Sequence, residues 1–266
     1  MKKASYILFT AALSFGFYSC FKNPVTGRSS LNAVPESEVR SMATQQYATF
    51  ISANSPVQGS KDAEMVQRVG QRMQAAVTQY LQSIGKQDLV SGYQWEFKLV
   101  ADNTANAWCM PGGKVVFYTG ILPLCQSEEG VAVVMGHEIA HAIARHGNER
   151  MSQGLATEFG GVILSVALSS KPHETQQLFN TAYGIGGQLG QLAYSRSHES
   201  EADHMGLIFM AIAGYNPNEA VNFWQRMAAA GGTKPPEFLS THPSDQRRIN
   251  DIKGKLPEAM KHYKPQ

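Results

Sequence analysis

The sequence predicts an α+β fold that is mostly helical, with one small β-sheet expected to be antiparallel. Three observations carry that expectation. Met65, Val66, Val69, Met73, Ala76 and Val77 recur at three- and four-residue spacings, the period of an amphipathic helix. Tyr93 to Val100 alternates and is rich in aromatic and β-branched residues, as a strand is. From Ser127 onward the spacing is helical again almost throughout, with turn formers between segments.

Taken in order, Met1-Lys2-Lys3 and the apolar run Tyr6 to Phe17, too short to span a bilayer comfortably, read as a targeting segment over residues 1–19. It ends Ser19-Cys20, and a small residue before a cysteine resembles the lipobox of lipoprotein signal peptides. That resemblance implies a lipidated Cys20 and a membrane-tethered protein. The expected place is the periplasmic side of a bacterial envelope membrane, the outer in preference to the inner. Lys22 to Arg28 is rich in turn formers, so residues 20–34 read as a tether. Residues 35–266 read as one domain, without internal repeats.

Within it, Pro35, Glu36 and Glu38 open a helix to about Ser52, and Lys61 to Ile84 forms the amphipathic helix. Strands follow at Tyr93–Val100, Asn106–Met110 and Lys114–Thr119, the last two separated by Pro111-Gly112-Gly113. Ser127 caps a long helix reaching about His146, where Gly147 is placed to end it. A Gly-rich, largely helical stretch runs to Leu192, and its most apolar part, 159 to 168, is too short for a membrane span. Helices over Ser197–Ala213, Pro217–Ala229 and Ser244–Lys255 complete the chain.

With 43% hydrophobic and 17% charged residues among 266, the chain can bury a sizeable core, which argues against disorder. Removing Lys2 and Lys3 leaves 21 basic against 21 acidic side chains, so there is no basic footprint for nucleic acid. Cys109 and Cys125 could pair in an oxidising compartment or stay as buried thiols; spacing leaves both open.

The chemistry is concentrated in His137-Glu138-Ile139-Ala140-His141. A four-residue separation puts both imidazoles on one helical face, supplying two zinc ligands. Glu138 projects about 100° round the helix from His137, near enough to take a proton from water without occupying the metal. Zinc lowers the pKa of water to about 7, which makes hydrolysis of a carbonyl feasible at neutral pH. Catalytic zinc also needs a third protein ligand. A metzincin would place histidine six residues and glycine three residues after His141; those positions hold Gly147 and Ala144, and His146 is one out of register. A second helix, Ser195 to Asp203, offers Glu199 as ligand and Asp203, four residues on, as hydrogen-bond acceptor from His137; Glu201 points elsewhere.

These motifs resemble the gluzincin peptidases grouped with HtpX, the prenyl-protein (CAAX) endoproteases, the beta-barrel assembly-enhancing protease and the mitochondrial Oma-type protease. The likeness runs through Asn23-Pro24-Val25-Thr26-Gly27-Arg28, Asn106-Ala107, Pro111-Gly112-Gly113, Thr119-Gly120 and the His137 motif. It continues through Tyr194-Ser195-Arg196, Glu199 to Asp203, Gly214-Tyr215-Asn216-Pro217 and Thr241-His242-Pro243. It implies a zincin-type endopeptidase domain holding one zinc on His137, His141 and Glu199, with Asp203 behind them.

Its implied substrates are exposed, extended segments of envelope proteins, as in protein quality control, with oligomeric state left open. A strand beside the Pro-Gly-Gly turn would bind the peptide; the candidates are Asn106 in the strand before it and Lys114, Val115 and Val116 in the strand after. His242 would either block the open metal position or stabilise the developing oxyanion. The expected branch is that of single-domain periplasmic lipoproteins, without the multi-span core of the HtpX branch or the repeat region of the assembly-enhancing protease. The rival expectation is a lipoprotein chaperone or assembly factor with a structural or blocked zinc site.

Overall fold

The structure is a computed structural model, and it describes residues 20–159, 172–183, 194–231, 236–243 and 245–265. The expected leader, 1–19, lies outside them, as does the apolar stretch 159–168 apart from Phe159. No helix among the described residues is long and apolar enough to cross a membrane.

The fold is α+β and mostly helical, organised around one buried helix. In order run β1 (Cys20–Lys22), β2 (Ser29–Leu31), α1 (Glu36–Ala53), α2 (Lys61–Ser83), β3 (Glu96–Val100), β4 (Ala107–Met110) and β5 (Lys114–Tyr118). After a helical turn at Leu122–Cys125 come α3 (Glu128–Ile143), α4 (His146–Phe159), α5 (Pro172–Tyr183), α6 (Arg196–Ile212), α7 (Glu219–Ala229), α8 (Glu237–Thr241) and α9 (Gln246–Ala259). Ser127 caps α3 by accepting the Gly130 N–H at 3.2 Å, and Glu128 and Glu129 occupy the positive end of its dipole. Every residue from Gly130 to Ile143 is buried, because α2, α6, α7 and β4 pack around α3. A helix apolar on all sides has no solvent face to present.

Two expectations are revised, and two open readings are filled in. The sheet is mixed: β5 lies in the middle, parallel to β3 and antiparallel to β4. Alternation tells which face a residue occupies but not which strand lies alongside. Gly147 does not end α3; the chain turns at Arg145 (φ +59°) and Gly147 enters α4, where a Cβ would sit 2.2 Å from the Tyr183 ring. Within residues 20–34, read as a tether, β1 and β2 form an antiparallel hairpin whose turn packs on α4 and α6. Cys109 and Cys125 are free, buried thiols. The Pro111-Gly112-Gly113 turn behaves as read: Gly112 and Gly113 have φ +93° and +83°, a conformation that costs glycine little and joins β4 to β5 tightly.

Candidate metal centre

Two helices that touch backbone to backbone set this site. A Cβ on Gly136 would lie 2.9 Å from the Gly206 carbonyl oxygen, and one on Gly206 would lie 2.9 Å from the His137 amide nitrogen. Glycine at both positions lets α3 and α6 cross that closely, which brings His137 and His141 to Glu199.

His137, His141, Glu199 and His242 each offer one donor atom, all within 4.8 Å of one another, and all four side chains are buried. His137 Nε2 lies 3.0 Å from His141 Nε2 and 3.1 Å from His242 Nδ1. Glu199 Oε1 lies 3.2 Å from His141 Nε2 and 2.9 Å from His242 Nδ1. Behind the cluster, His137 Nδ1 donates to Asp203 Oδ1 at 2.9 Å, which leaves the lone pair on Nε2 facing the centre. His242 closes the α8 end, its N–H donating to Phe238 O at 2.9 Å and its ring lying between Phe238 and Tyr194.

Converging imidazole lone pairs beside a carboxylate, away from water, are costly unless a cation sits among them. Histidine nitrogens with one carboxylate oxygen are a donor set that zinc takes, so the residues fit that ion. The local field agrees. Burial opposes a proton on His137, but Glu199 and Asp203 outweigh it and lift its pKa to about 9. Burial also opposes ionisation of Glu199, yet His242, Arg248 and His137 hold it well below the usual carboxylate range.

Glu138 stands beside the cluster rather than in it. Its Oε1 is buried without a hydrogen bond and lies 3.3 Å from His242 Nε2. Burial, the largest influence, raises its pKa, which suits a group that must accept a proton near neutral pH.

Asn106 is buried immediately before β4, and residues 106–110 line a cleft with Glu138, Tyr194, Thr241 and His242. Lys114, Val115 and Val116 do not border it as an edge. Their strand is paired on both sides, so its backbone has no free hydrogen bonds for a peptide. Lys114 instead reaches Glu96 at 2.7 Å and lies over the Tyr47 ring. Cys20 is exposed at the start of β1, distant in sequence from the cluster.

Two features escaped the sequence reading. Arg248 on α9 is buried: Nη1 is 2.5 Å from Glu199 Oε2, Nε and Nη2 each donate to Asp203 at 2.8 Å, and the guanidinium lies 3.4 Å from the Trp224 ring centroid. The available signal was an arginine in step with Ile249 and Ile252, on the face of α9 that enters the core. Glu201 does face away from the cluster, but it is buried, and His146, rejected as a ligand, lies between it and His141.

Peptidase family M48 matches residues 60–256 of this chain. Among curated relatives, the mitochondrial metalloendopeptidase OMA1 of Schizosaccharomyces pombe is 39% identical over 173 residues, covering 64% of this chain and 49% of that protein. The human OMA1 metalloendopeptidase is 27% identical over 278 residues, covering 98% and 52%. The putative beta-barrel assembly-enhancing protease of Vibrio cholerae is 31% identical over 202 residues, covering 71% and 40%. The chain thus spans about half the length of the OMA1 relatives it matches. With the family matched across most of the chain and a buried histidine and glutamate cluster that fits zinc, this protein belongs to the M48 family of zinc metallopeptidases.

Proposed function

We propose that this chain is a zinc endopeptidase that cleaves exposed, extended segments of envelope proteins. One observation carries the reading: the donor atoms of His137, His141, Glu199 and His242 lie within 4.8 Å of one another, and Glu138 reaches His242 of that cluster at 3.3 Å, in a cleft lined by β4, the edge strand of the sheet. When bound, zinc polarises the scissile carbonyl and makes water acidic enough to react near neutral pH. Glu138 takes the proton of the attacking water and returns it to the leaving amine, so no acyl-enzyme forms. Asp203 keeps His137 oriented, and Arg248 holds Asp203 and Glu199 in place. An extended peptide adds to β4, the edge strand beyond β5, through backbone hydrogen bonds that accept many sequences.

Proteolysis of casein by wild type and Glu138→Gln, with zinc measured in both, tests this. Cleavage by wild type alone, at equal zinc content, supports Glu138 as base; cleavage by both removes it from that role.

A second reading draws on His242, whose Nδ1 joins the cluster as a fourth donor. Four protein ligands close a zinc site, as in structural centres. On this reading the chain is an assembly factor, or a protease held latent until His242 moves. Where wild type does not cleave casein, His242→Ala separates the cases: a gain in cleavage means a latent enzyme, whereas a folded, zinc-bound variant that stays inactive favours the assembly factor. Where wild type cleaves, loss of activity in the variant assigns His242 to the developing oxyanion.

Lipidation of Cys20 would set this domain at an envelope membrane, with protein quality control as its task. Support comes from the leader-like 1–19 and the exposed cysteine that follows. Membrane fractionation of wild type and Cys20→Ser checks it, since the variant should be released.

A further inference from the structure

The turn Asn23 to Arg28 takes no part in the scheme above, yet it aims three polar side chains at buried carboxylates. Asn23 Nδ2 donates to Glu201 Oε1 at 2.9 Å, the Thr26 hydroxyl donates to the same oxygen, and Arg28 Nε donates to Glu201 Oε2 at 2.5 Å. Arg28 Nη2 meanwhile reaches Glu149 Oε2 at 2.8 Å. The turn is built for this. Gly27 (φ +75°) closes it, the Asn23 N–H bonds Arg28 O at 2.8 Å, and Asn23 Oδ1 accepts the Val25 N–H at 2.9 Å.

Glu201 leads on to the metal. Surrounded by donors, it acts only as an acceptor, so His146 Nε2, 2.8 Å from its Oε2, carries a proton. In the neutral ring, His146 Nδ1 then offers a lone pair, and His141 Nδ1, 2.8 Å away, must donate to it. That leaves His141 Nε2 unprotonated and facing the cluster. His137 receives the same service directly from Asp203. His141, one turn further along α3, is reached only through an intervening imidazole.

We propose that the β1–β2 hairpin is part of the metal centre: it holds Glu201, and through Glu201 and His146 it fixes His141 in the tautomer and orientation that present Nε2 to zinc. Because β1 begins at Cys20, the segment expected to tether the protein is also the segment that completes its site. The inference rests on the zinc reading of the cluster. It differs from a purely structural clasp of the hairpin on α4 and α6, which would affect melting but not metal affinity.

The test uses the full chain as wild type, Arg28→Ala, Arg28→Lys, Glu201→Gln, Ser152→Ala and His141→Ala. Zinc affinity is measured by chelator competition, the absorption spectrum is recorded after cobalt loading, and the metal-free melting temperature is taken for each. Arg28→Ala and Glu201→Gln should bind zinc about 10- to 100-fold more weakly, the range for groups that orient a ligand from behind, with an altered cobalt spectrum. Should Arg28→Ala not fold, Arg28→Lys keeps the charge but not the fork that spans Glu149 and Glu201, and should weaken zinc in the same way. Ser152→Ala removes the Ala33 N–H bond of 2.8 Å, another link between the N-terminal segment and α4, and should change melting without changing affinity. Wild-type zinc affinity and cobalt spectrum in Glu201→Gln and either Arg28 variant would overturn the proposal, whatever their melting temperatures. If instead wild type binds no zinc, or His141→Ala binds it equally well, the metal reading itself fails.

Discussion

Gly206→Ala adds a single carbon between α3 and α6, at the crossing that assembles the metal centre. The new Cβ would lie 2.9 Å from both the Gly136 carbonyl carbon and the His137 amide nitrogen, atoms of a buried backbone that cannot rotate away. Comfortable non-bonded contact needs about 3.5–4.0 Å, so the helices must separate locally by about 0.6–1 Å. Zinc ligand distances tolerate only about 0.2 Å either way, and Glu199 lies two turns along α6 from the new methyl. Overpacking of this kind costs about 1–3 kcal/mol, and each kcal/mol lowers the melting temperature by about 2–4 °C in a domain of this size. Zinc affinity should fall at least about tenfold, comparable with losing an orienting group. Chelator competition and thermal melting of the metal-free protein measure the two effects. Gly254→Ala, on α9 where a Cβ meets nothing within 4 Å, is the control, and should stabilise by about 0.4–1 kcal/mol. Wild-type zinc affinity and melting in Gly206→Ala would refute the argument that this crossing sets the site.

Arg248→Met should cost the metal-free protein about 3–5 kcal/mol in urea denaturation, because it leaves Glu199 and Asp203 buried without their cation. Zinc should restore part of that loss, and a cost below about 1 kcal/mol would mean that the arginine is incidental. Cys109→Pro removes a backbone donor on the free side of β4, since neighbouring Asn106 and Met110 bond toward β5. It should lower kcat/KM about 2- to 12-fold at unchanged zinc content, the worth of one hydrogen bond; an unaltered kcat/KM argues against peptide pairing there. Acid unfolding should respond to Glu149: burial raises its pKa, but hydrogen bonds from His198 and Arg28 prevail and bring it from 4.5 to about 2. A lowered folded-state pKa gives stability that is present above pH 4.5 and lost as pH falls toward 2. Glu149→Gln should therefore flatten that limb of the stability curve, and an unchanged slope would contradict the assignment.

What the sequence by itself determined lies within single helices. The spacing of His137 and His141, and of Glu199 and Asp203, follows from 3.6 residues per turn, so each pair's shared face was legible without knowing what it met. The Ser127 cap and the Pro-Gly-Gly turn were legible for the same reason, because a side chain or a positive φ acts on its own neighbours. Neighbours distant in the chain were decided only by tertiary structure. Asn106–Met110 and Lys114–Thr119 were legible as strands but their order was not, so Lys114 to Val116 read as a candidate edge when they lie in the middle. Nothing in the sequence singled out Arg248, and Glu201 read as a carboxylate turned away from the chemistry. Their partners lie 45 and 178 residues away, in Asp203 and Asn23. The physical reason is that periodicity constrains direction about one axis, whereas the partner of a buried charge depends on which elements the core packs together.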